Sequence, residues 1–184
     1  MIPRKLITTI HKEMIKSHLK TLEGRDRYLR FAAMVSDEYI DKYVEDSWLG
    51  DNEWFGIVQY DKVIAVVHVA VDGNKAELGL SVDPEWRGNK LGQAIFERAV
   101  ISLRAHGIND VFMHCLSENS IIKHIATKNK MVMKTEYGET DADLKLSPST
   151  PLDSIADVVV EHLAIYDSTV RNANAIWKKI YDHT

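Results

Sequence analysis

Residues 76–93 read AELGLSVDPEWRGNKLGQ, and this stretch decides the fold of the chain. Apolar residues alternate with polar or small ones up to Val82, which is the period of a β-strand. Asp83-Pro84 ends the strand because proline has no N–H to give to a sheet ladder. From Leu91 onward apolar residues recur every three or four positions, as on one face of a helix. A strand, a loop with two glycines and a helix therefore predict an anion site, since unpaired backbone N–H groups and the positive end of the helix dipole meet there.

The segments on either side of this stretch alternate between strand and helix patterns, and tight turns join several of them. Ser36 is a good N-cap, with two acidic residues in the turn that follows it. The predicted elements in chain order are a helix over 5–22 that Gly24 ends, a helix from Ser36 to about Gly50, strands 54–60 and 63–71 joined by Asp61-Lys62, strand 76–82 after the turn 72–74, a helix to Gly107, a buried strand 111–116, helix 119–130, and strands 131–137 and 142–146.

The loop after the central strand resembles the pyrophosphate-binding loop of the GNAT superfamily of acetyl-CoA-dependent N-acetyltransferases. That pattern is Arg or Gln, two residues, Gly, one residue, then Gly or Ala, and Arg87-Gly88-Asn89-Lys90-Leu91-Gly92 follows it with one departure. Lys90 stands where the family usually has its inner glycine. Either the backbone there needs no positive φ, or the lysine side chain adds a phosphate contact.

The order of predicted elements over nearly 140 residues is also similar to the GNAT order, and the segment from Leu22 to Phe31 resembles the one before the sheet in bacterial protein-lysine acetyltransferases. The resemblance implies an α/β (α+β) GNAT fold, with a mixed central sheet of about six or seven strands flanked by helices. We expect a GNAT domain over residues 1–147, followed by a linker and a C-terminal helical extension over 148–184.

The resemblance implies where acetyl-CoA, the expected cosubstrate, would bind. Strand 76–82 would splay from strand 111–116 so that the pantetheine arm lies between them, and small side chains at Gly79 and Ser81 would leave space for the acetyl end. Asn119 matches an asparagine near that arm in the family. The expected cofactor-binding residues are Leu80, Ser81, Val82, Arg87, Gly88, Asn89, Lys90, Leu91, Gly92, Gln93 and Asn119.

Three residues are candidates for proton transfer. Glu77 precedes Pro84 by seven residues, as a glutamate does in the protein-acetyltransferase-like GNAT domains, and it is the candidate general base. The hairpin register places His68 on the same strand face as Glu77, opposite or diagonal to it, where the pair could share a proton. Each residue has a plainer interpretation, Glu77 as a half-exposed strand carboxylate and His68 as a hydrogen-bonded core histidine.

The acid that would protonate the departing thiolate differs from the family pattern. Ala126 stands where the family often has a tyrosine, so water or the hydroxyl of Ser120 would give the proton.

Taken together, the resemblance implies an N-acetyltransferase for a primary amine of a small molecule or protein. The alternative is a non-catalytic acyl-CoA-binding or regulatory module on the same fold. The acidic cluster Glu136, Glu139, Asp141 and Asp143 either attracts a cationic amine or forms a solvated turn.

Composition excludes several other classes of function. The net charge of −4 argues against a nucleic-acid partner and against a tRNA-acetylating toxin of this fold. One cysteine, Cys115, permits no internal disulfide and is interpreted as an inert buried residue. No signal peptide and no apolar stretch long enough to span a membrane are visible, so we expect a cytoplasmic protein without a membrane partner. The eight histidines show no metal-ligand spacing, so we expect no metal.

The C-terminal extension carries a second clear pattern. Thr150 is placed as an N-cap before Pro151 at the first helical position. Two interpretations remain for the helix that follows: a homodimer through this helix, or folding back over its own domain, with a break possible near the poor helix formers at 168–174. Apolar residues alternate by four and three as in a heptad seam, at Leu152, Ala156, Val159, Leu163, Tyr166, Val170, Ala173, Trp177 and Ile180.

Overall fold

The computed structural model describes the backbone of residues 1–181 and the side chains of residues 1–174 and 177. Within this part there are seven strands, six α-helices and one short 3₁₀ turn at Pro84–Trp86. In chain order they are β1 (Arg4–Lys5), α1 (Thr9–Lys20), α2 (Gly24–Phe31), α3 (Asp37–Ser47), β2 (Glu53–Gln59), β3 (Lys62–Asp72), β4 (Lys75–Val82), α4 (Leu91–Ala105), β5 (Asp110–Leu116), α5 (Ser120–Lys128), β6 (Val132–Glu136), β7 (Glu139–Lys145) and α6 (Pro151–Tyr181).

All seven strands of the described chain join one mixed sheet in the order β1-β2-β3-β4-β5-β7-β6. The neighbours pair antiparallel except for β4 and β5, which are parallel. A parallel pair needs a crossover connection, and α4 supplies it. The sheet and its flanking helices confirm the predicted α/β (α+β) architecture, and the central strand, the turn after Asp72 and the helix from Leu91 lie where the patterns predict them.

Two apolar cores cover the two faces of the sheet. On one face, Leu78 and Leu80 of β4 pack with buried residues of α4 and α5 such as Ile95 and Ile125. On the other face, α1 and α3 cover β2 and β3. Because side chains of a strand alternate between faces, the odd-numbered residues of β4 point to the α1 and α3 side. Glu77, Gly79 and Ser81 therefore lie on that side.

The N-terminal prediction is wrong in three respects. Leu6 is not helical: its N–H donates to the Trp54 carbonyl at 2.8 Å as an extension of β1. The helix begins only after Thr8, whose hydroxyl accepts from the His11 N–H. Gly24 does not end this helix, which closes at Lys20, but begins α2 at a φ of +47°. Apolar spacing alone could not separate an edge strand from the first turn of a helix.

Smaller corrections affect the β2–β3 hairpin and the strands β5 and β7. The β2–β3 turn centres on Tyr60-Asp61, both at positive φ, one residue earlier than predicted. The sequence predicts a β5 that is buried throughout, yet His114 in this strand is exposed. Strand β7 begins at Glu139, three residues earlier than predicted, and lies between β5 and β6.

The C-terminal extension is one helix, α6, that runs without a break through Ser168 and Asn174. The Thr150 N–H and hydroxyl both donate to Asp153 at 2.7 Å, which fastens its first turn. The seam residue Ile180 lies outside the described side chains, and residues 182–184 lie outside the described backbone. Within residues 1–181, no helix combines the length and the apolar character that crossing a bilayer requires.

Candidate active site

A cleft opens in the middle of the sheet where β4 and β5 diverge. The two parallel strands pair from Lys75↔Asp110 to Glu77↔Phe112, and the pairing ends there although β4 continues to Val82. This is the predicted splay. A cavity of about 750 Å³ passes through the opening, and residues from both faces of the sheet line it.

The backbone on the β4 side of the cleft presents polar groups to it. Asp83 donates its N–H to Ile64 of β3, and the Asn74 carbonyl accepts from Asp110 at the start of β5. Because the direction of these groups alternates along a strand, odd-numbered residues of β4 bond to β3 and even-numbered residues face β5. Leu80 and Val82 therefore direct their N–H and C=O groups into the open part of the cleft.

One end of the cleft meets the glycine-containing loop and the start of α4. Gly88 has a φ of +78° and Lys90, at the N-cap position, a φ of +61°. The backbone does need a positive φ at Lys90, so the first of the two alternatives for this departure is wrong. In the described chain no side chain caps α4, which leaves the N–H groups of its first turn turned to the cavity, lined there by Leu91 and Gly92.

Other loop residues hold this arrangement from the side. The Asn89 side-chain amide donates to the carbonyls of Trp86 and Arg87 at 3.0 and 3.3 Å, which braces the turn. The Gln93 amide exchanges hydrogen bonds with Asn129 at 2.9 and 3.0 Å, which ties α4 to the end of α5. The Arg87 guanidinium pairs with Asp26 of α2 at 3.0 Å.

A carboxylate and a histidine face the cavity from opposite sides of the cleft. Glu77 of β4 and His114 of β5 both line it, and pairing Glu77↔Phe112 puts His114 on the same face as Glu77. His114 Nδ1 lies 2.7 Å from an Asp141 carboxylate oxygen, and Nε2 lies 3.6 Å from Glu139. The Asp141 hydrogen bond raises the pKa of His114, and the charge of Glu77 acts in the same direction.

The sequence reasoning missed His114 and took the acids of β7 for a turn or an amine attractor. The residue stands at an exposed position of a strand that was interpreted as buried. Its period-two position beside Phe112 was a signal, but the partner Asp141 comes from a strand inserted next to β5, which no local pattern announces.

His68 lies on the same face as Glu77, as predicted, and diagonal to it, because His68 pairs with Gly79 and Ala70 with Glu77. Its ring stacks on Trp54 with centroids 4.4 Å apart, and its Nδ1 lies 2.8 Å from the Tyr43 hydroxyl. Burial, with a contribution from the charge of Arg30, lowers the pKa of His68 to about 3. His68 is therefore neutral at physiological pH and takes its hydrogen bond from Tyr43.

The space beside Gly79 and Ser81 is already occupied. A Cβ at Gly79 would meet an Arg30 guanidinium nitrogen at 2.6 Å, so the missing side chain makes room for Arg30 and not for an acetyl group. The Ser81 hydroxyl lies 2.9 Å from His18 Nε2, and His18 Nδ1 lies 2.8 Å from the Val63 carbonyl. Burial lowers the pKa of His18 to about 4, so this buried pair is neutral and supports the sheet face.

Three further residues line the cavity on the α5 side. Asn119 caps α5 by accepting from the Ile122 N–H, and its amide also donates to the Leu29 carbonyl of α2 at 3.4 Å. Ser120 is exposed beside it. Cys115 is buried, which raises the pKa of its thiol and keeps it protonated, so the structure supports an inert residue. Among the described residues, no group of three His, Cys, Asp or Glu side chains is placed to hold a metal ion.

Comparison with known proteins identifies the family and similar folds. The model of the acetyltransferase (GNAT) family matches residues 19–126. The GNAT domain of S. lividans PAT shares 19% identity at a TM-score of 0.67, over 78% of this chain and 89% of that one. PaiA N-acetyltransferase from Thermoplasma acidophilum, solved with coenzyme A, shares 18% at a TM-score of 0.60, over 79% and 100%. The ribosomal-protein-S18-alanine N-acetyltransferase of Escherichia coli shares 18% at 0.60, over 80% and 94%. No curated protein matches the chain.

Proposed function

The chain belongs to the GNAT family of acetyltransferases, and from that premise we propose that it transfers an acetyl group from acetyl-CoA to a primary amine. One observation carries this proposal: a cleft between two splayed strands leads from the uncapped start of α4 to a carboxylate. Coenzyme A is bound in the related PaiA structure, which supports acetyl-CoA as the donor here.

The pyrophosphate of the donor would lie at the loop before α4. The N–H groups of the first turn of α4 and the positive end of its dipole attract an anion. Arg87 and Lys90 add positive charge at the rim, where both are exposed. Arg87 would exchange its contact with Asp26 for the phosphate, or share it between the two.

The thioester would lie between β4 and β5. The N–H groups of Leu80 and Val82 point into the opening, where they are placed to polarise the thioester carbonyl and to stabilise the oxyanion that forms on it. The chemistry is then acyl transfer: the amine nitrogen attacks the carbonyl carbon, the carbon–sulfur bond breaks, and the thiolate of coenzyme A departs.

Proton transfer is the other requirement, because a primary amine is mostly protonated at neutral pH. Glu77 lies in the opening and would accept a proton from the ammonium, which frees the lone pair of the amine for attack. His114, oriented by Asp141, lies across the cleft on the same face of the sheet and would pass that proton on at Nε2. The thiolate would take its proton from water or from Ser120 at the start of α5. A thiolate needs little help to depart, since the pKa of a free thiol is about 8.5.

The first experiment measures donor binding and turnover together. Isothermal titration with coenzyme A should show one site per chain. Acetyl-CoA mixed with a panel of polyamines, amino acids and lysine peptides should release free thiol in an acceptor-dependent manner. Binding without acceptor-stimulated release would instead support the acyl-CoA-binding module, and no binding would reject both.

We further propose that α6 pairs with α6 of a second copy of the chain, as an extension (residues 148–184) of the catalytic domain (residues 1–147). The helix turns its polar and small residues inward: Ala164 is fully buried, and Asp157 and Glu161 bind Arg98 of α4. The predicted seam points outward, and its described large residues are between 39% and 73% exposed, at Leu152, Val159, Leu163, Tyr166, Val170 and Trp177.

This orientation favours self-association because apolar residues repeated by four and three pack best against another helix. The helix does pack on its own domain, but it does so with the face opposite the seam. The seam contains no charged side chain from Leu152 to Trp177, so two copies would not repel each other. It extends about 38 Å at 1.5 Å per residue, and an exposed apolar strip of this length marks an interaction site.

The double variant Leu163→Glu, Tyr166→Glu should convert a dimer into a monomer, because two carboxylates per chain would be desolvated at the centre of the seam. Sedimentation velocity would measure the change, and circular dichroism would verify that both proteins are folded. Ser154→Glu, which adds a charge to the same helix away from the seam, should leave the dimer intact. A wild-type protein that sediments as a monomer at micromolar concentration would refute the interface.

We also propose a cytoplasmic location, which the single, buried and reduced cysteine supports.

A further inference from the structure

The inner wall of the cavity carries a positive charge that pairs with no carboxylate of the described residues. Arg30 of α2 lies across Gly79, with its guanidinium carbon 5.0 Å from the Phe31 ring centroid and 5.6 Å from that of Tyr43. It donates to the Tyr43 hydroxyl at 3.0 Å and lies 3.5 Å from the Gly79 carbonyl. Among the described residues it forms no ion pair, and its buried Nε has no hydrogen-bond partner.

A second unsatisfied group lies against the same wall. The His68 side chain lines the cavity, the residue is 7% exposed, and its buried Nε2 has no hydrogen-bond partner in the described part of the chain. A buried polar atom without a partner costs free energy, so its presence in a cavity wall points to a ligand that completes it.

The neighbouring hydrogen bonds decide which kind of ligand atom fits. Arg30 can only donate, so the Tyr43 oxygen accepts from it, and the Tyr43 proton is then free to go to His68 Nδ1. A neutral imidazole that accepts at Nδ1 carries its proton at Nε2. His68 therefore carries an unsatisfied N–H donor at Nε2, buried just beneath the cavity wall, as Arg30 carries one at Nε. The two donors together favour an oxygen anion.

The location of these donors relative to Glu77 matters for the acceptor. His68 is the diagonal cross-strand neighbour of Glu77, and diagonal neighbours lie about 7–8 Å apart. Arg30 covers Gly79, two residues along the strand from Glu77. The cavity thus offers Glu77 and His114 to the amine end of an acceptor, and the donors of Arg30 and His68 to an anion.

We infer that the Arg30–His68 wall is a carboxylate subsite, and that the acceptor is an amine that carries a carboxylate several bonds away. The inference rests on the proposed function, because the amine end is the group that receives the acetyl. Arg30 supplies the charge for the carboxylate, and His68 Nε2–H supplies a directed hydrogen bond. Tyr43 holds both donors in place and acts as a positioning residue.

A series of acceptors tests the subsite directly. Glycine, β-alanine, 4-aminobutyrate, 5-aminopentanoate and 6-aminohexanoate are compared with n-alkylamines of matched length in the thiol-release assay. We expect one chain length of the amino acids to exceed its alkylamine by roughly 10–100-fold in kcat/KM, the range for losing a hydrogen bond to a charged group. Alkylamines that match or exceed the amino acids at every length would overturn the subsite while leaving the acetyltransferase in place.

Two variants connect the preference to the named residues. Arg30→Met keeps the apolar stem against Phe31 and Tyr43, and His68→Phe keeps the stack on Trp54. Each should raise KM for the preferred amino acid at least roughly tenfold and change kcat/KM for the matched alkylamine less than about threefold. A purely structural role would lower both activities equally and would refute the assignment. Arg25→Gln, on the exposed side of the same helix, is the control and should change neither.

A binding measurement separates this inference from the proposed function. Hexanoate, which has a carboxylate and no amine, is titrated into the coenzyme A-loaded protein and into the Arg30→Met variant. Binding that weakens at least roughly tenfold in the variant would support the subsite even if no amine were acetylated. Equal binding to both proteins, or none to either, would overturn the subsite whatever the activity assay shows.

Discussion

Replacing Glu77 by glutamine is expected to lower kcat by roughly 10²–10⁴-fold, the range for removing a general base. Glutamine keeps the size of the side chain but cannot accept the proton that the ammonium must lose before the amine attacks. Glu77 is an exposed strand residue, so the free energy of unfolding and the affinity for coenzyme A should stay close to the wild-type values. Steady-state thiol release, urea unfolding and isothermal titration would measure the three quantities.

The matched control for this variant is Glu136→Gln, an exposed strand glutamate outside the cavity that pairs with Lys134. It should keep wild-type turnover. His114→Gln gives a second comparison, because the neighbouring imidazole is held by Asp141 and not needed for the first proton transfer. Wild-type turnover in Glu77→Gln together with a severe loss in His114→Gln would transfer the role of base to the histidine.

Replacing Arg98 by methionine should destabilise the protein by about 3–5 kcal/mol, the range for breaking a buried ion pair. Arg98 is 3% exposed, and its nitrogens lie 2.6 Å from Asp157 and 2.8 Å from Glu161 of α6. Its guanidinium also lies 4.4 Å over the Phe55 ring. Without it, the Asp157 carboxylate would lose its ion pair and Glu161 would keep only the Lys5 N–H as a partner. Denaturant unfolding should show the loss.

Two further variants make the explanation of this loss testable. Arg98→Met combined with Glu161→Gln should recover part of the stability, because the substitution removes one of the stranded charges. Lys42→Met, which breaks an exposed pair with Asp46, should leave the unfolding midpoint unchanged. If Arg98→Met unfolded at the wild-type midpoint, the anchoring of α6 by this arginine would be refuted.

Local patterns predicted the parts of the site that neighbouring residues build. The alternation up to Val82, the proline that ends the strand and the helix from Leu91 were all readable, because each is a period within one element. The heptad seam of α6 was equally readable. The φ at Lys90 was not, since lysine gives no local sign that the loop needs a left-handed backbone there, and the structure shows that it does.

The surroundings of a residue were harder to predict than the strand or helix to which it belongs. His68 and Glu77 were placed correctly because a short hairpin sets their register. Their surroundings were not: Arg30 lies 49 residues before Gly79 and occupies the space that the small residue leaves. For α6, the period identified the apolar seam, but the direction in which the seam points depends on Arg98, 59 residues before Asp157.

The sequence by itself determined the central strand and the glycine-containing loop that leads into α4, because hydrophobic period, proline and glycine act over a few consecutive residues. The resemblance of that loop indicated the family. Only the tertiary structure decided the chemistry of the cavity wall. It brought His114 to Asp141 by inserting β7 beside β5, and laid Arg30 across β4 beside His68. Such contacts depend on strand order and helix packing. These are set by the packing of the whole chain, so no single segment of the sequence indicates them.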